Sequence, residues 1–331
     1  MPYPWPPGFV RIPDEEWTRQ PVESLALKYD SVENHGWYAN LDPTVQEVSE
    51  YLENGHVLVD YSGGTGILID RLLTANPGKR FGIVNVDSSP KFLRLSLEKL
   101  RRDERVGFRL IQYLKAEKRL QFLEEVLPVS SVGGALDGLM STNAIHLYYG
   151  LPDTLASWAR CVRPGGRVFI QSGNIARADG ERRGWIIDTT VEALQETARA
   201  IVWEDSRYAP YRDAMMDEAR QARYDDLRHK YFIPVRPLRY YLDALDEAGF
   251  DLLQVRHLPV QARTKEWYQF LSVYHEGVLG WVGGVDKIEG KPPTAGAVRD
   301  RLDLLRAALD RVFQGAPEFD AEWTYITCER R

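Results

Sequence analysis

Apolar and polar positions along the chain change period several times, and each change marks an element. Val57-Leu58-Val59 is a short apolar run between Gly55 and the glycines after Asp60, the pattern of a buried strand. Ile67 to Ala75 then reads as a helix and Arg80 to Val86 as a strand ending at Asp87. Pro90 to Arg102 reads as a helix opened by Ser88, Ser89 and Pro90. The alternation continues with a strand over Val106 to Ile111, a helix over Lys118 to Val126 and a strand over Gly134 to Met140. A helix over Leu151 to Val162 follows, then the turn signal Arg163-Pro164-Gly165-Gly166, then a strand over Arg167 to Gln171. Five strands separated by helices predict a parallel sheet covered on both faces.

Either side of this core the pattern differs. Pro2, Pro4, Pro6 and Pro7 predict an extended start, followed by helices over Trp17 to Tyr29 and Pro43 to Asn54. After residue 174 the alternation breaks. Asp188 to Trp203 reads as a helix, and Tyr208 to Tyr231 as a charged helix with a solvated face. A helix over Leu238 to Ala248 and a strand over Phe250 to His257 resume the core. Then come a helical insert, Thr264 to Trp281, a Gly/Pro-rich loop, Gly283 to Gly296, a helix, Ala297 to Phe313, and a last strand, Ala321 to Cys328. The expected organisation is an N-terminal extension and helical cap over 1–54 and a ligand-binding core over 55–175. A helical insertion over 176–235 follows, and 236–331 completes the sheet around a second insertion at 260–315.

Composition narrows the chemistry. Of 331 residues, 48 are acids and 42 are bases, a net charge of -6 that argues against a nucleic-acid backbone as partner. The two cysteines, Cys161 and Cys328, are too far apart for a Cys-x-x-Cys zinc site or a disulfide framework. No metal constellation is visible. No apolar run approaches the ~18 residues of a spanning helix, and Met1 to Pro13 lacks the plan of a signal peptide. A cytoplasmic protein without a membrane partner is expected, either a monomer or a homodimer.

The most informative segment is His56 to Gly66, HVLVDYSGGTG: a buried strand ends in an acid, and a glycine-rich turn opens a helix. Glycines let backbone amides approach a ligand, an acid at a strand end receives hydroxyl or ammonium donors, and open α/β sheets bind ligands at these carboxyl ends. Asp87, 21 residues after Gly66, ends the next strand, where an acid accepts the hydroxyls of a ribose. A dinucleotide site wants Gly-x-Gly-x-x-Gly and a pyrophosphate at the helix N-terminus. Gly64 and Gly66 supply two glycines, but Ile69 stands at the third position and Asp60 would repel a pyrophosphate. A nucleoside with a zwitterionic amino-acid tail fits better.

With these residues, with ALDGLMSTNAIHLY at the fourth strand, CVRPGGRVFI before the fifth and AEWTYITCE at the end, the chain resembles the class I S-adenosylmethionine-dependent methyltransferases of small-molecule type. The resemblance implies a doubly wound, Rossmann-like, seven-stranded α/β sheet with an antiparallel last strand, a helical N-terminal cap and late helical insertions. Carried over, Asp60, Ser62, Gly63, Gly64 and Gly66 would hold the methionine part of S-adenosylmethionine. Asp87 and Ser88 would take the ribose, and Ser141, Thr142 and Asn143 would line the sulfonium pocket. Where the family often has an acid near the adenine stands Gln112-Tyr113, which leaves adenine recognition to Tyr113 or to backbone groups. Tyr29 and Tyr38, in the segment that closes over the cofactor, are candidates for its pocket.

His146 is the leading candidate base for an acceptor that loses a proton, with His275 second. Tyr148, Tyr149, Trp267 and Tyr274 are candidates for the acceptor pocket, where aromatic faces suit a planar or cationic acceptor. For Trp267 and Phe270, three apart on one helical face, a core position is the competing expectation. The implied reaction is methyl transfer to oxygen or nitrogen, ahead of carbon, of a small molecule. The alternatives are a protein that binds the cofactor without transfer, a repurposed cyclase, decarboxylase or isomerase, and a nicotinamide enzyme.

Overall fold

In β1 (Val57–Tyr61) all five residues are buried, and alternate side chains go to opposite faces of the sheet. Leu58 joins an apolar cluster on one face, while Val57, Val59 and Tyr61 join the cluster on the other. The same division holds in β2 (Gly82–Asp87), β4 (Leu136–Thr142), β5 (Val162–Ser172), β6 (Phe250–Arg263) and β7 (Glu318–Arg330), while the apolar side chains of the edge strand β3 (Val106–Leu110) join the first cluster alone. Ile83 and Val84, or Phe169 and Ile170, part to the two sides in the same way. The computed structural model describes residues 5–178 and 184–331; Pro2 and Pro4 lie outside these.

The strands form one sheet in the order β3-β2-β1-β4-β5-β7-β6. β1 to β5 run parallel, and β7 is inserted antiparallel between β5 and β6. Helices Asp42–Tyr51, Ile67–Ala75 and Pro90–Leu100 cover one face through Val48, Leu72 and Leu93. Helices Leu151–Cys161 and Leu238–Glu247 cover the other through Leu155, Trp158 and Tyr241. The strand order reverses at β1 and β4, so their carboxyl ends border the crevice where such sheets take ligands.

Several expectations are corrected. Trp17 to Tyr29 is not one helix: a short 3-10 turn, Glu16–Arg19, is separated from helix Ser24–Asp30 by Pro21, which lacks the amide a helix needs. The helix expected over Lys118 to Val126 is cut short by a hairpin, with Tyr113–Leu114 paired to Arg119–Leu120 and Lys118 at φ 54 in its turn; only Leu123–Val126 is helical. The charged stretch from Tyr208 to Tyr231 is three pieces, Ser206–Tyr211, Arg212–Met216 and Glu218–Tyr231, interrupted by Pro210 and by Asp217 acting as an N-cap. The insert expected over Thr264 to Trp281 breaks at Tyr274. The last two strands run longer than expected, because they pair with each other along almost their whole length.

The two late insertions pack together. Leu194 and Ala198 of helix Ile187–Glu204 share a cluster with Leu271, Val278 and with Leu304 and Leu305 of helix Ala295–Val312. Arg301 is fully buried at their centre and donates to the carbonyls of Val282, Gly284 and Gly280 at 2.6–3.3 Å, which folds that loop around the guanidinium.

Candidate active site

The glycine turn after β1 is shaped by close approaches. Ser62, Gly64 and Gly66 have φ of 64, 54 and 79°, and a Cβ on Gly63 would come within 2.5 Å of Asp60 Oδ2 and Asn85 Oδ1. Only glycine at position 63 lets the chain pass over the Asp60 carboxylate. That carboxylate is fully buried, and neither oxygen has a hydrogen-bond partner among the described residues. Burial, with the charge of Asp87 as a second cause, pushes its pKa up to about 8. Asp87, also buried, is satisfied differently. It accepts from the Gly64 amide at 2.8 Å and the Ser89 amide at 2.6 Å, so burial raises its pKa while these bonds act the other way.

At the end of β4, Ser141 is buried and its hydroxyl lies 2.9 Å from that of Tyr148, which also lies 3.0 Å from Ser62 Oγ. Tyr148 therefore ties the first residue of the glycine turn to the neighbouring strand. Asn143, at φ 54, donates its amide to the Gln171 carbonyl and accepts from the Trp323 indole at 2.9 Å. Its side chain is thereby held at the carboxyl ends of β4 and β5.

Over this floor lies the N-terminal cap. Tyr29 stacks on Phe92 with ring centroids 4.7 Å apart and hydrogen-bonds Tyr38; burial raises the pKa of both phenols. Tyr29, Tyr38, Ser62, Gly63, Thr142 and Asn143 are among the walls of a small cavity of about 30 Å³ at the glycine turn. Tyr29, Tyr38 and Asn143 also wall a second cavity of about 260 Å³. The second cavity is bounded further by Trp37, Phe232, Phe270 and Tyr274, with His146, Asn174 and Lys230 supplying its polar groups. A wider vestibule of about 580 Å³ shares Tyr29, Phe270 and Tyr274 with it. His146 is buried, its Nδ1 is 2.9 Å from Ser172 Oγ, and burial first, then Arg236, lowers its pKa to about 4. Its imidazole is thus neutral at physiological pH.

The structure brings Tyr29, Tyr38, Asp60, Ser62, Gly63, Gly64, Gly66, Asp87, Ser141, Thr142, Asn143, His146 and Tyr274 to the carboxyl ends of the parallel strands or to these cavities. Other expected residues stand elsewhere. Ser88 is exposed, although its backbone amide reaches Asp87. Tyr113 is on the outer hairpin, 57% exposed, and Tyr149 is 72% exposed. Trp267 is buried among Trp37, Phe270 and Phe319 and lines neither the glycine-turn nor the aromatic cavity, in line with the competing core expectation. His275 sits 3.0 Å from Arg301, away from both. Tyr148 braces the glycine turn rather than walling the aromatic cavity.

Lys230, Phe232 and Asn174 are wall residues that the sequence did not single out. Asn174 alone had a local cue, its place just past a strand end; it donates to the Ile233 carbonyl at 2.9 Å and accepts from the Asp188 amide, drawing the insertion to the sheet. Among the described residues no group of three or more His, Cys, Asp or Glu could hold a metal ion, and no helix is long and apolar enough to cross a membrane.

No protein-family model and no curated protein sequence matches the chain. Among solved structures it resembles the YcgJ protein of Bacillus subtilis, at 13% identity and a TM-score of 0.51 over 89% of this chain and 99% of that one. It also aligns with the [4+2]-cyclase SpnF, at 14% identity and a TM-score of 0.44 over 87% and 81% of the two chains. Phosphoethanolamine N-methyltransferase 2 of Haemonchus contortus aligns at 13% identity and a TM-score of 0.47 over 92% of this chain and 56% of that one. The strand order, the antiparallel last strand and the likeness to YcgJ agree: the chain has the Rossmann-like fold of the class I methyltransferases.

Proposed function

We propose that the chain transfers a methyl group from S-adenosylmethionine to an oxygen or nitrogen of a small-molecule acceptor. The observation that carries this reading is the Asp60 carboxylate, buried with both oxygens unpartnered beneath a glycine turn. A buried acid without a partner is costly in a fold, and a ligand ammonium is the kind of group that removes the cost. The pyrophosphate of a dinucleotide brings no donor for the Asp60 oxygens, and Ile69, fully buried, occupies the third glycine position of that motif.

In this reading Asp60 and the amides of Ser62 to Gly66 hold the amino-acid part, and Asp87 exchanges its bond from Gly64 for ribose hydroxyls. When bound, S-adenosylmethionine supplies a methyl group made electrophilic by the sulfonium. The chain's own work is alignment and exclusion of water, which Tyr29, Tyr38 and Asn143 perform from the wall common to both cavities. His146, neutral at physiological pH, is placed in the wall of the aromatic cavity to receive the proton of a hydroxyl or ammonium acceptor.

Calorimetric titration with S-adenosylhomocysteine and, separately, with NADH tests the cofactor. Micromolar binding of the first alone is expected; preference for NADH, or binding of neither, overturns the reading. Binding followed by no methyl transfer across a panel of phenols, acids and amines favours a protein that binds the cofactor without transferring its methyl group.

A further inference from the structure

The proposal that follows rests on the methyl-transfer reading and deepens it to a class of acceptor. The aromatic cavity, about 260 Å³, is smaller than the roughly 300–1,000 Å³ usual for drug-sized ligands, so it suits a one- or two-ring body. Its faces come from Tyr29, Trp37, Phe232, Phe270 and Tyr274, drawn from three distant parts of the chain. Aromatic walls by themselves suit a flat apolar body and a cation alike.

Charge decides between these. Among the described residues no carboxylate lines the cavity. The one lining residue among them with a permanent charge is Lys230, exposed near the end of helix Glu218–Tyr231, which makes no hydrogen bond or ion pair with another described residue. A second cation acts from behind: Arg236 is among the causes that keep His146 neutral, and its guanidinium is held by the Tyr148 carbonyl at 3.4 Å. Lys230 also borders a neighbouring cleft lined by Arg223 and Lys287, with Glu276 close enough to act on Lys287 and Glu289 close enough to be acted on by Arg223. An acceptor bearing an ammonium would meet Lys230 and, among the described residues, no carboxylate in the wall, which opposes it. One bearing a carboxylate or phosphate would gain a charge-assisted hydrogen bond from the Lys230 amine, which has no partner among the described residues.

We propose that the acceptor is a small aromatic or flat apolar molecule with an anionic group, its body held between Phe270, Tyr274 and the cap tyrosines and its anion on Lys230. The acceptor's hydroxyl then lies toward Asn143 and His146. Transfer forms the carbon–oxygen bond with an oxygen lone pair and breaks the carbon–sulfur bond, whose electron pair stays on sulfur; the hydroxyl proton passes to His146.

Three probes with one ring and three tails test this: 4-hydroxyphenylacetate, 4-ethylphenol and tyramine. Each is titrated calorimetrically into the protein saturated with S-adenosylhomocysteine, and into Lys230→Met and Lys230→Glu. The expected order is acid tighter than neutral tighter than amine. The acid should weaken at least tenfold in Lys230→Met and further in Lys230→Glu, while 4-ethylphenol changes less than threefold. S-Adenosylhomocysteine affinity should be unchanged in both variants, since Lys230 does not wall the glycine-turn cavity. Tighter binding of tyramine than of the acid, or an acid affinity indifferent to both substitutions, overturns the acceptor class and leaves the methyl-transfer reading standing. Failure of S-adenosylhomocysteine to bind the unaltered protein overturns the methyl-transfer reading itself, and the acceptor class with it.

Discussion

Replacing Asp60 by asparagine keeps the side chain's shape and removes its charge. With the carboxyl pushed from 3.8 to about 8, it is about nine-tenths protonated in the folded protein at pH 7 and fully ionised in the unfolded chain. Because the folded value lies above the unfolded one, its contribution to stability is fully present below about pH 4 and is lost as pH rises toward 8. At ~1.4 kcal/mol per unit, that loss reaches about 4 kcal/mol by pH 7, an upper bound. Asparagine carries no such term, so Asp60→Asn should match the wild type near pH 4 and exceed its stability increasingly up to pH 8. Urea unfolding across that range reads the difference directly. The ligand gives a second readout. If an ammonium pairs with Asp60, binding S-adenosylhomocysteine at pH 7 must expel about 0.9 proton, and affinity should tighten about tenfold from pH 6 to 7. Calorimetry in two buffers of different ionisation enthalpy measures that proton, and Asp60→Asn should release none. Parallel stability profiles for the two proteins, or proton-neutral binding by the wild type, would refute the reasoning.

Asp87→Ala should weaken S-adenosylhomocysteine more than tenfold and also lower the melting temperature, since the Gly64 and Ser89 amides lose their acceptor; unchanged affinity removes Asp87 from the ribose role. His146→Ala should cut the methyl-transfer rate and leave cofactor affinity intact. The wild-type rate should show no inflection near pH 6.5, because His146 titrates near 4. The folded value here lies below the unfolded one, so stability from this group is lost as pH falls from about 6.5 to 4; a flat wild-type profile there, matched by His146→Ala, contradicts it. Arg301→Met should cost about 3 kcal/mol or more by urea unfolding, as the carbonyls of Val282 and Gly284 lose a buried donor; a change under 1 kcal/mol would show that water replaces it.

The sheet and its glycine turn could be read in the sequence because their determinants are local. The apolar run into Asp60, the turn glycines and the spacing to Asp87 lie in one continuous βαβ stretch. Helix Ile67–Ala75 begins and ends where its periodicity does. The errors have local causes too. Pro21 breaks the Trp17 to Tyr29 pattern, and an Arg119–Glu125 pair with two 2.7–2.9 Å bonds stabilises a hairpin that leaves no periodic trace. The aromatic cavity is a different matter. Lys230 lies in the last turn of, and Phe232 just after, a helix whose polar pattern marks it only as solvated, and their arrival beside His146 depends on how the insertions dock. That docking runs through Asn174 to Ile233 and through Asp188 to Arg228, contacts between residues 40 or more positions apart. Conversely, Trp267 and Tyr149 were aromatic residues in plausible segments, and side-chain type could not say which way either would point.

Tyr29 and Tyr38 form part of the wall of both cavities, with only about 30 Å³ beneath them at the glycine turn. For a nucleoside to settle there, as the methyl-transfer reading requires, these rings would have to move, and the second chamber would regain all its walls only once they returned. On that reading the two ligands would be thermodynamically linked through this pair of phenols. Whatever factor the first gives to the affinity of the second, the second returns to the first. Initial-rate kinetics should accordingly show a compulsory order, nucleoside first, and a product that leaves slowly because its exit requires the same rings to part.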